Sequence, residues 1–289
     1  MCGIAGALGA RPVDPAAAMA MRDGLAHRGP DDRGTWVSDD GCVMLAHRRL
    51  AILDLSPLGH QPMASASGRY LLVYNGEIYD HAEIRAELEA AGRAPAWRGH
   101  SDTETLLGAI DAWGVTRALQ RATGMFALAL WDRQERTLTL ARDRFGEKPL
   151  YYGWAGGLFV FASELGAIRV LPGFSNPVDR EALSALLSRT NVPCPLSIYQ
   201  GIFKLPPGTL LTLTPAAAAI PRNAPFAPGP GDGAVLEAYW SYRNVVQAGL
   251  EAPFDSEGEA IDDVAFQALI RAAVARNAPA RKSKSKPRI

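Results

Sequence analysis

The chain has 289 residues, of which 48% are hydrophobic and 21% are charged, as in a typical globular protein. Thirty basic residues balance thirty acidic ones, so no net field favours binding to nucleic acid or to an anionic membrane. No apolar run reaches the roughly 18 residues that span a bilayer, and the first residues do not resemble a signal peptide. We therefore expect a cytoplasmic protein with neither a nucleic-acid nor a membrane partner.

The cysteines and histidines indicate neither a disulfide framework nor a metal site. Cys2, Cys42 and Cys194 form an odd, sparse set that does not suit a network of disulfides. The five histidines form no paired motif at zinc-ligand spacing. We expect no metal in this part of the protein.

The first eighty residues predict strands separated by one helix and polar turns. The small apolar residues 3–9 predict a buried strand directly after Cys2, and residues 15–26 predict a helix. A loop rich in turn formers follows over 27–34, and residues 35–54 predict a hairpin. A further strand begins at residue 69 and is expected to end in a turn at Asn75-Gly76.

Two helices and more hairpins follow. Asp80 with Glu83, and Ser101 with Glu104, have the spacing of a helix N-cap and its partner three residues later. The other elements are predicted at 125–143 (hairpin), 150–163 (hairpin), 164–170 (helix), 179–188 (helix) and 209–214 (strand). Hairpins with separate helices predict an α+β fold with layered antiparallel sheets.

The composition changes after residue 213. Residues 214–238 are rich in Pro, Ala and Gly, and predict a loose connector. Residues 255–277 predict an amphipathic helix, and the basic residues 278–289 predict a disordered tail. We therefore expect one large domain over 2–213, followed by a different kind of structure.

Cys2 has unusual chemistry if Met1 is removed. The residue then carries a thiol and a free α-amine, whose ordinary pKa values are about 8.5 and 7.7–8.0. The amine can serve as the local base that activates the sulfur. A small buried residue at a chain end is the alternative interpretation of this position.

Six motifs occur in order over the first 152 residues: MCGIAG, HRGPDDRG, AHRRLAILDL, VYNGEIYD, SDTET and RDRFGEKPLYY. Together they resemble the glutaminase domain of class II glutamine amidotransferases, and most closely that of the glutamine-hydrolysing asparagine synthetases. The resemblance covers residues 2–213 and continues loosely to about 277. It implies the four-layer αββα sandwich of N-terminal-nucleophile hydrolases, with Cys2 as the nucleophile that attacks the glutamine amide.

The resemblance also implies the residues that bind glutamine. Arg49 matches the arginine that clamps the substrate carboxylate, a role suited to its planar fork of donors. Because a strand alternates its faces, only one of Arg48 and Arg49 can face the pocket, and the match selects Arg49. The backbone of Leu50, Ala51, Ile52 and Leu53 would line the same wall.

Four further residues match the reacting and ammonium-binding groups. Asn75 and Gly76 match the oxyanion hole, although Asn-Gly is also a common hairpin turn. Glu77 and Asp102 match residues that receive the substrate ammonium, although Asp102 also suits the first turn of a helix. The HRGP residues 27–30 would order a flanking loop, and no catalytic role is assigned to residues 142–152.

The second half of the resemblance is incomplete. Asparagine synthetases continue into a domain that uses ATP and Mg²⁺ to activate aspartate, with a Ser-Gly-Gly-x-Asp-Ser phosphate loop. That motif is absent from this sequence, so residues 239–277 are interpreted as the start of such a domain, in a chain truncated or frameshifted before the loop. We expect glutamine hydrolysis without asparagine formation and no cofactor for that step. The resemblance also implies a homodimer, as in family members.

Two alternatives stay open. The ammonia acceptor of the full-length enzyme could be a sugar or a peptide precursor rather than aspartate, because related domains feed several acceptors. The chain could also be a non-catalytic fragment that only binds glutamine or a partner protein. Retention of Cys2, Arg49, Asn75 and Asp102 argues against simple decay of the site.

Overall fold

Two antiparallel sheets organise the computed structural model, which describes residues 1–251. The strands are β1 Gly3–Leu8, β2 Asp32–Val37, β3 Val43–Arg49, β4 Met63–Ala64, β5 Tyr70–Ile78, β6 Gly124–Asp132, β7 Thr137–Arg142, β8 Tyr151–Ala155, β9 Leu158–Ala162, β10 Ile202–Lys204, β11 Thr209–Leu213, β12 Gly229–Gly231 and β13 Ala234–Ala238. The first sheet has the order β10-β8-β9-β1-β3-β2, and the second β12-β13-β11-β7-β6-β5-β4.

Eight α-helices accompany the sheets in the described residues. They are α1 Pro15–Asp23, α2 His81–Ala90, α3 Asp102–Trp113, α4 Val115–Arg121, α5 Leu165–Arg169, α6 Arg180–Arg189, α7 Pro215–Ala218 and α8 Tyr242–Glu251. Residues 1–241 form one compact unit, and α8 begins a second unit. None of the described helices is long and apolar enough to cross a membrane.

Three apolar layers hold the first unit together. The inner faces of the two sheets pack on each other, the first sheet packs on α1 and α5, and the second packs on α2, α3 and α4. Strand alternation produces this division. In β1, Ile4 and Leu8 face the opposite sheet, whereas Ala5 and Ala7 face the helices. Helices therefore cover the outer face of each sheet, which confirms the predicted four-layer α+β sandwich.

The strand β5 differs from its prediction. It continues through Asn75 and Gly76 to Ile78, and Gly76 pairs with Phe126 of β6 instead of forming a turn. A Cβ at residue 76 would lie 2.6 Å from the Phe126 Cβ, so the glycine permits close approach of the two strands. Long pairing with β6 thus overrides the local turn preference of Asn-Gly.

The expected connector over 214–238 is also different in the structure. Residues 215–218 form α7, and β13 pairs with β11 from Leu213↔Ala234 to Thr209↔Ala238. The Pro and Gly residues therefore mark turns between ordered elements, and the loose-connector interpretation is wrong for this segment. The predicted helix at 255–277 and the tail at 278–289 lie outside the described residues.

Smaller corrections concern helix and strand starts. The strand β2 begins at Asp32, within the stretch expected to be a loop. Ser101 caps α3 as predicted, with its side chain accepting the Glu104 N–H. Asp80 makes no such cap at α2, because its carboxylate accepts the Thr123 N–H at 2.8 Å.

Candidate active site

A cleft that is open to solvent lies where β1 begins and β3 ends, and β5 of the other sheet lines it as well. Its lining comprises Met1, Cys2, Arg49, Leu50, Ile52, Leu53, Asp54, Gly59, Gln61, Tyr74, Asn75, Gly76, Glu77, Ser101, Asp102, Thr103, Met125 and Lys148. The cleft thus gathers every site residue expected from the sequence except Ala51. The Ala51 N–H donates instead to the Asp31 carboxylate at 2.8 Å.

Contacts to the backbone carbonyl and to the sulfur of Cys2 hold this residue at the cleft. Its carbonyl accepts a hydrogen bond from Arg28 Nε at 2.9 Å, and Arg28 pairs with Glu164 at 2.5 Å. Its Sγ lies 3.3 Å from the Leu50 N–H. Burial raises the pKa of the Cys2 thiol above its ordinary value, while Leu50 and the cationic groups nearby oppose the rise. A thiol in this setting needs a base to ionise near neutral pH.

Arg49 lies at the end of β3 with its guanidinium in the cleft. It donates to the Ser56 carbonyl at 2.8 Å and to the Asp54 carbonyl, so the loop after β3 wraps around it. A Cβ at residue 59 would collide with the guanidinium, which explains the glycine there. Arg48, one residue away, faces the other side of the sheet and lies 3.4 Å from Asp23. The predicted choice of Arg49 over Arg48 therefore matches the side-chain directions.

Asn75 presents an unpartnered donor to the cleft. Its residue is 1% exposed, and its Nδ2 has no hydrogen-bond partner among the described residues. Asn75 shares a strand face with Val73, which belongs to the layer between the sheets, so its amide points towards the sheet that carries Cys2. A buried amide donor without an acceptor is rare in folded proteins, and it suits an oxygen supplied by a ligand.

Asp102 begins α3 but turns its carboxylate towards β5. It accepts the Tyr74 hydroxyl and the Ile78 N–H, both at 2.9 Å, and the Thr103 N–H at 2.9 Å. Burial raises the pKa of the Asp102 carboxyl, and these donors oppose that rise. The carboxylate is thus fixed by the strand as well as by the helix, and Glu77 lines the same cleft.

Two residues that the sequence interpretation missed connect the elements of the site. Gln61 accepts the Tyr74 N–H at 2.7 Å, and its Nε2 lies 3.5 Å from the Thr103 hydroxyl. His47, between the two sheets, makes a hydrogen bond to the Tyr74 carbonyl at 3.1 Å through Nε2. Burial lowers the pKa of His47 to about 4, so the ring is neutral at pH 7 and Nε2 is the donor. Both backbone polar groups of Tyr74, the residue just before Asn75, are therefore held by side chains.

Other residues of the lining also lay outside the sequence interpretation. Lys148 lies in the RDRFGEKPLYY motif, which suggests no catalytic role by itself, and Met125 lies in none of the six motifs. Among the described residues, no group of three or more His, Cys, Asp and Glu side chains gathers as a metal ion would require. The cleft combines a cysteine, an unpartnered amide donor, an arginine and three acids. This set suits nucleophilic attack on the carbonyl of a ligand that carries both charges of an amino acid.

Comparison with known proteins gives the same class of chemistry. A family model described as a glutamine amidotransferase domain matches residues 1–223. A putative glutamine-hydrolysing asparagine synthetase of Mycobacterium bovis is 39% identical over 226 residues, which are 72% of this chain and 34% of that protein. Asparagine synthetase 3 of Bacillus subtilis is 37% identical over 197 residues, 67% of this chain and 31% of that protein. The chain spans about a third of the length of these curated relatives.

Two further similarities concern a different relative and the fold. The amidase chry2 of Gibberella zeae is 35% identical over 196 residues, 67% of this chain and 28% of that protein. The solved structure of glutamine phosphoribosylpyrophosphate amidotransferase from Bacillus subtilis has a TM-score of 0.59 and 19% identity, covering 83% of this chain and 49% of that one. The second similarity shows a shared fold.

Proposed function

Because the chain belongs to the glutamine amidotransferase domain family, we propose that it hydrolyses the side-chain amide of glutamine with Cys2 as the nucleophile. The observation that carries this proposal is the meeting of Cys2 and the unpartnered Asn75 Nδ2 in one cleft. Arg49 and Asp102, which suit the two charges of the substrate backbone, line the same cleft.

The binding step uses complementary charges. Arg49 has five N–H donors, of which the loop carbonyls take only some, and the rest receive the glutamine α-carboxylate. Glu77 and Asp102 receive the α-ammonium, and Leu50, Ile52 and Leu53 form the wall beside the aliphatic part. In this arrangement the amide carbon of glutamine extends towards Cys2 Sγ.

The reaction is acyl transfer after removal of Met1. The Cys2 α-amine takes the thiol proton, and the thiolate attacks the amide carbon. Asn75 Nδ2 and the Gly76 N–H stabilise the oxyanion. The carbon–nitrogen bond then breaks as the ammonium of Cys2 returns the proton to the leaving nitrogen, which departs as ammonia. Water hydrolyses the thioester, which releases glutamate and restores the thiol.

The use of the ammonia depends on parts beyond the described residues. The names of the Mycobacterium and Bacillus relatives support asparagine synthesis as the use of the ammonia. Aspartate as the acceptor, with ATP and Mg²⁺ used by a synthetase part, and the alternative of a sugar or peptide acceptor stay predictions from the family resemblance. No step proposed for this cleft uses ATP or Mg²⁺. A cytoplasmic location and a homodimer stay predictions from composition and family resemblance.

The test is ammonia release from glutamine by the purified chain and by Cys2→Ala. Mass spectrometry first verifies removal of Met1. We expect equimolar ammonia and glutamate from the native chain and none above background from Cys2→Ala. Cys42→Ala is the matched control, because Cys42 lies outside the cleft, and its activity should equal that of the native chain. Binding of glutamine without hydrolysis by the folded, processed chain would favour a non-catalytic module instead.

A further inference from the structure

The turn between β7 and β8 has a structure that the proposed reaction leaves unexplained. The Asp143 carboxylate accepts backbone N–H groups at 2.9–3.1 Å from Phe126, Phe145, Glu147 and Lys148. Arg142 Nε donates to the Lys148 carbonyl at 2.8 Å from the other side. Both backbone polar groups of Lys148 are therefore held, which fixes the direction of its side chain.

That side chain enters the cleft of Cys2. Lys148 is 8% exposed, and its Nζ contacts Met1 Sδ at 3.5 Å. Within the described part of the chain, no carboxylate lies within 4.0 Å of the ammonium. A thioether is a weak acceptor, so this buried cation has no ion-pair partner at contact distance. Burial of an ammonium in this way opposes folding, and it therefore calls for another explanation.

Removal of Met1 changes the surroundings of Lys148. It takes away the Sδ atom and frees a second amino group, the Cys2 α-amine, on a residue that lines the same cleft as Lys148. When two cationic groups lie in one partly buried cleft, each disfavours the protonated form of the other. The α-amine has the lower ordinary pKa, 7.7–8.0 against 10.4 for lysine, so it is the group that gives up its proton.

We propose that the Lys148 ammonium keeps the Cys2 α-amine unprotonated at neutral pH, so that the amine is available as the base. This inference rests on the proposed function. The other titratable or charged groups that face the cleft are the Cys2 thiol, Arg49 and Asp54 at and after β3, Tyr74 and Glu77 of β5, and Asp102 of α3. Arg49, like Lys148, favours the unprotonated form of the Cys2 α-amine. The three acids favour its protonated form until the substrate ammonium occupies Glu77 and Asp102.

The first test is the pH dependence of kcat/KM for glutamine hydrolysis. Lys148→Met keeps the length of the side chain and removes the charge, so the acidic limb of the profile should move to higher pH by about one unit. The rate on the alkaline plateau and KM should stay within about two-fold, because the charges of glutamine bind at Arg49 and Asp102. Lys148→Arg should keep the native profile. An unshifted limb in Lys148→Met, or an equal shift in Lys148→Arg, would overturn the proposal.

The second test needs no turnover, so it separates failure of this inference from failure of the proposed function. The rate of trace acetylation of the amino terminus, followed by mass spectrometry across pH, gives the pKa of the Cys2 α-amine. We expect a higher pKa in Lys148→Met and Lys148→Gln than in the native chain, and no change in Lys204→Met, a lysine outside the cleft. Equal pKa values in all four proteins would contradict the role of Lys148 even if ammonia is released.

Discussion

Two groups of residues in the cleft differ in how their polar atoms are satisfied. In the first group, Asp102 accepts three hydrogen bonds, Arg49 donates to two loop carbonyls and Gln61 bridges β5 and α3. In the second group, Asn75 Nδ2 has no partner among the described residues, and Lys148 has only a thioether. The first group is therefore fixed by hydrogen bonds within the protein before substrate arrives, whereas the second group is not.

This difference corresponds to the two tasks of the proposed enzyme. Binding the constant backbone of an amino acid favours a rigid, preformed site, because little conformational entropy of the protein is then lost on binding. Stabilising a charge that exists only during the reaction favours donors that have no partner in the ground state. Substitution of Arg49 should therefore change KM, and substitution of Asn75 should change kcat.

The largest effect is expected from Asn75→Ala. Loss of one oxyanion donor should lower kcat by about 10²–10³-fold and leave KM nearly unchanged. Single-turnover and steady-state kinetics with glutamine measure both constants, and the unfolding midpoint checks that the fold is intact. A rise in KM of the same size as the fall in kcat would mean that Asn75 binds the substrate, and would remove the contrast between the two groups of residues.

The next effect is a loss of stability at acidic pH caused by buried His47, whose Nδ1 has no hydrogen-bond partner among the described residues. Its folded pKa of about 4 lies below the ordinary 6.5. The unfolded chain therefore takes up a proton first, and stability present above pH 6.5 is lost as the pH falls towards 4. The free energy of unfolding should fall by roughly 3 kcal/mol because of this residue, since each pKa unit corresponds to about 1.4 kcal/mol. Denaturant unfolding at several pH values measures it.

A matched variant isolates the histidine from other acid effects. His47→Gln retains a donor for the Tyr74 carbonyl but cannot be protonated in this range. Its free energy of unfolding should change less between pH 6.5 and 4 than that of the native chain. Equal pH dependence in the two proteins would show that other groups cause the acid instability.

A smaller effect is expected from Arg49→Lys. The positive charge remains but the planar fork is lost, so KM for glutamine should rise by about 10- to 100-fold with kcat within a few-fold. Arg48→Lys is the control, because Arg48 lies on the opposite face beside Asp23, and its KM should be unchanged. A fall in kcat without a rise in KM in Arg49→Lys would contradict the assignment of Arg49 to substrate binding.

Much of the fold follows from local sequence signals. The hairpins, the N-cap at Ser101 and the opposite directions of the Arg48 and Arg49 side chains are all short-range features. They occur in the structure as predicted. The errors involve long-range pairing. The strand β5 passes through Asn75-Gly76 because β6, some fifty residues later, supplies its partners, and β13 is ordered by pairing with β11.

The same limit applies to the site. Cys2, Arg49 and Asn75 stand in motifs, so a family resemblance could select them. Gln61 has no motif, and its role exists only where β5 and α3 meet. Lys148 lies in a motif, but its relation to Cys2 depends on the Asp143 turn, which brings residues 146 positions apart into one cleft.

The most direct test of the central claim is to trap the intermediate on Cys2. The processed native chain is mixed with glutamine, quenched in acid within the first turnover and digested, and the glutamyl group is located by mass spectrometry. The account predicts a glutamyl thioester on the amino-terminal Cys2 peptide, which forms more slowly in Asn75→Ala and is absent in Cys2→Ala. Ammonia release with no acyl group on Cys2, or with the group on another residue, would contradict it.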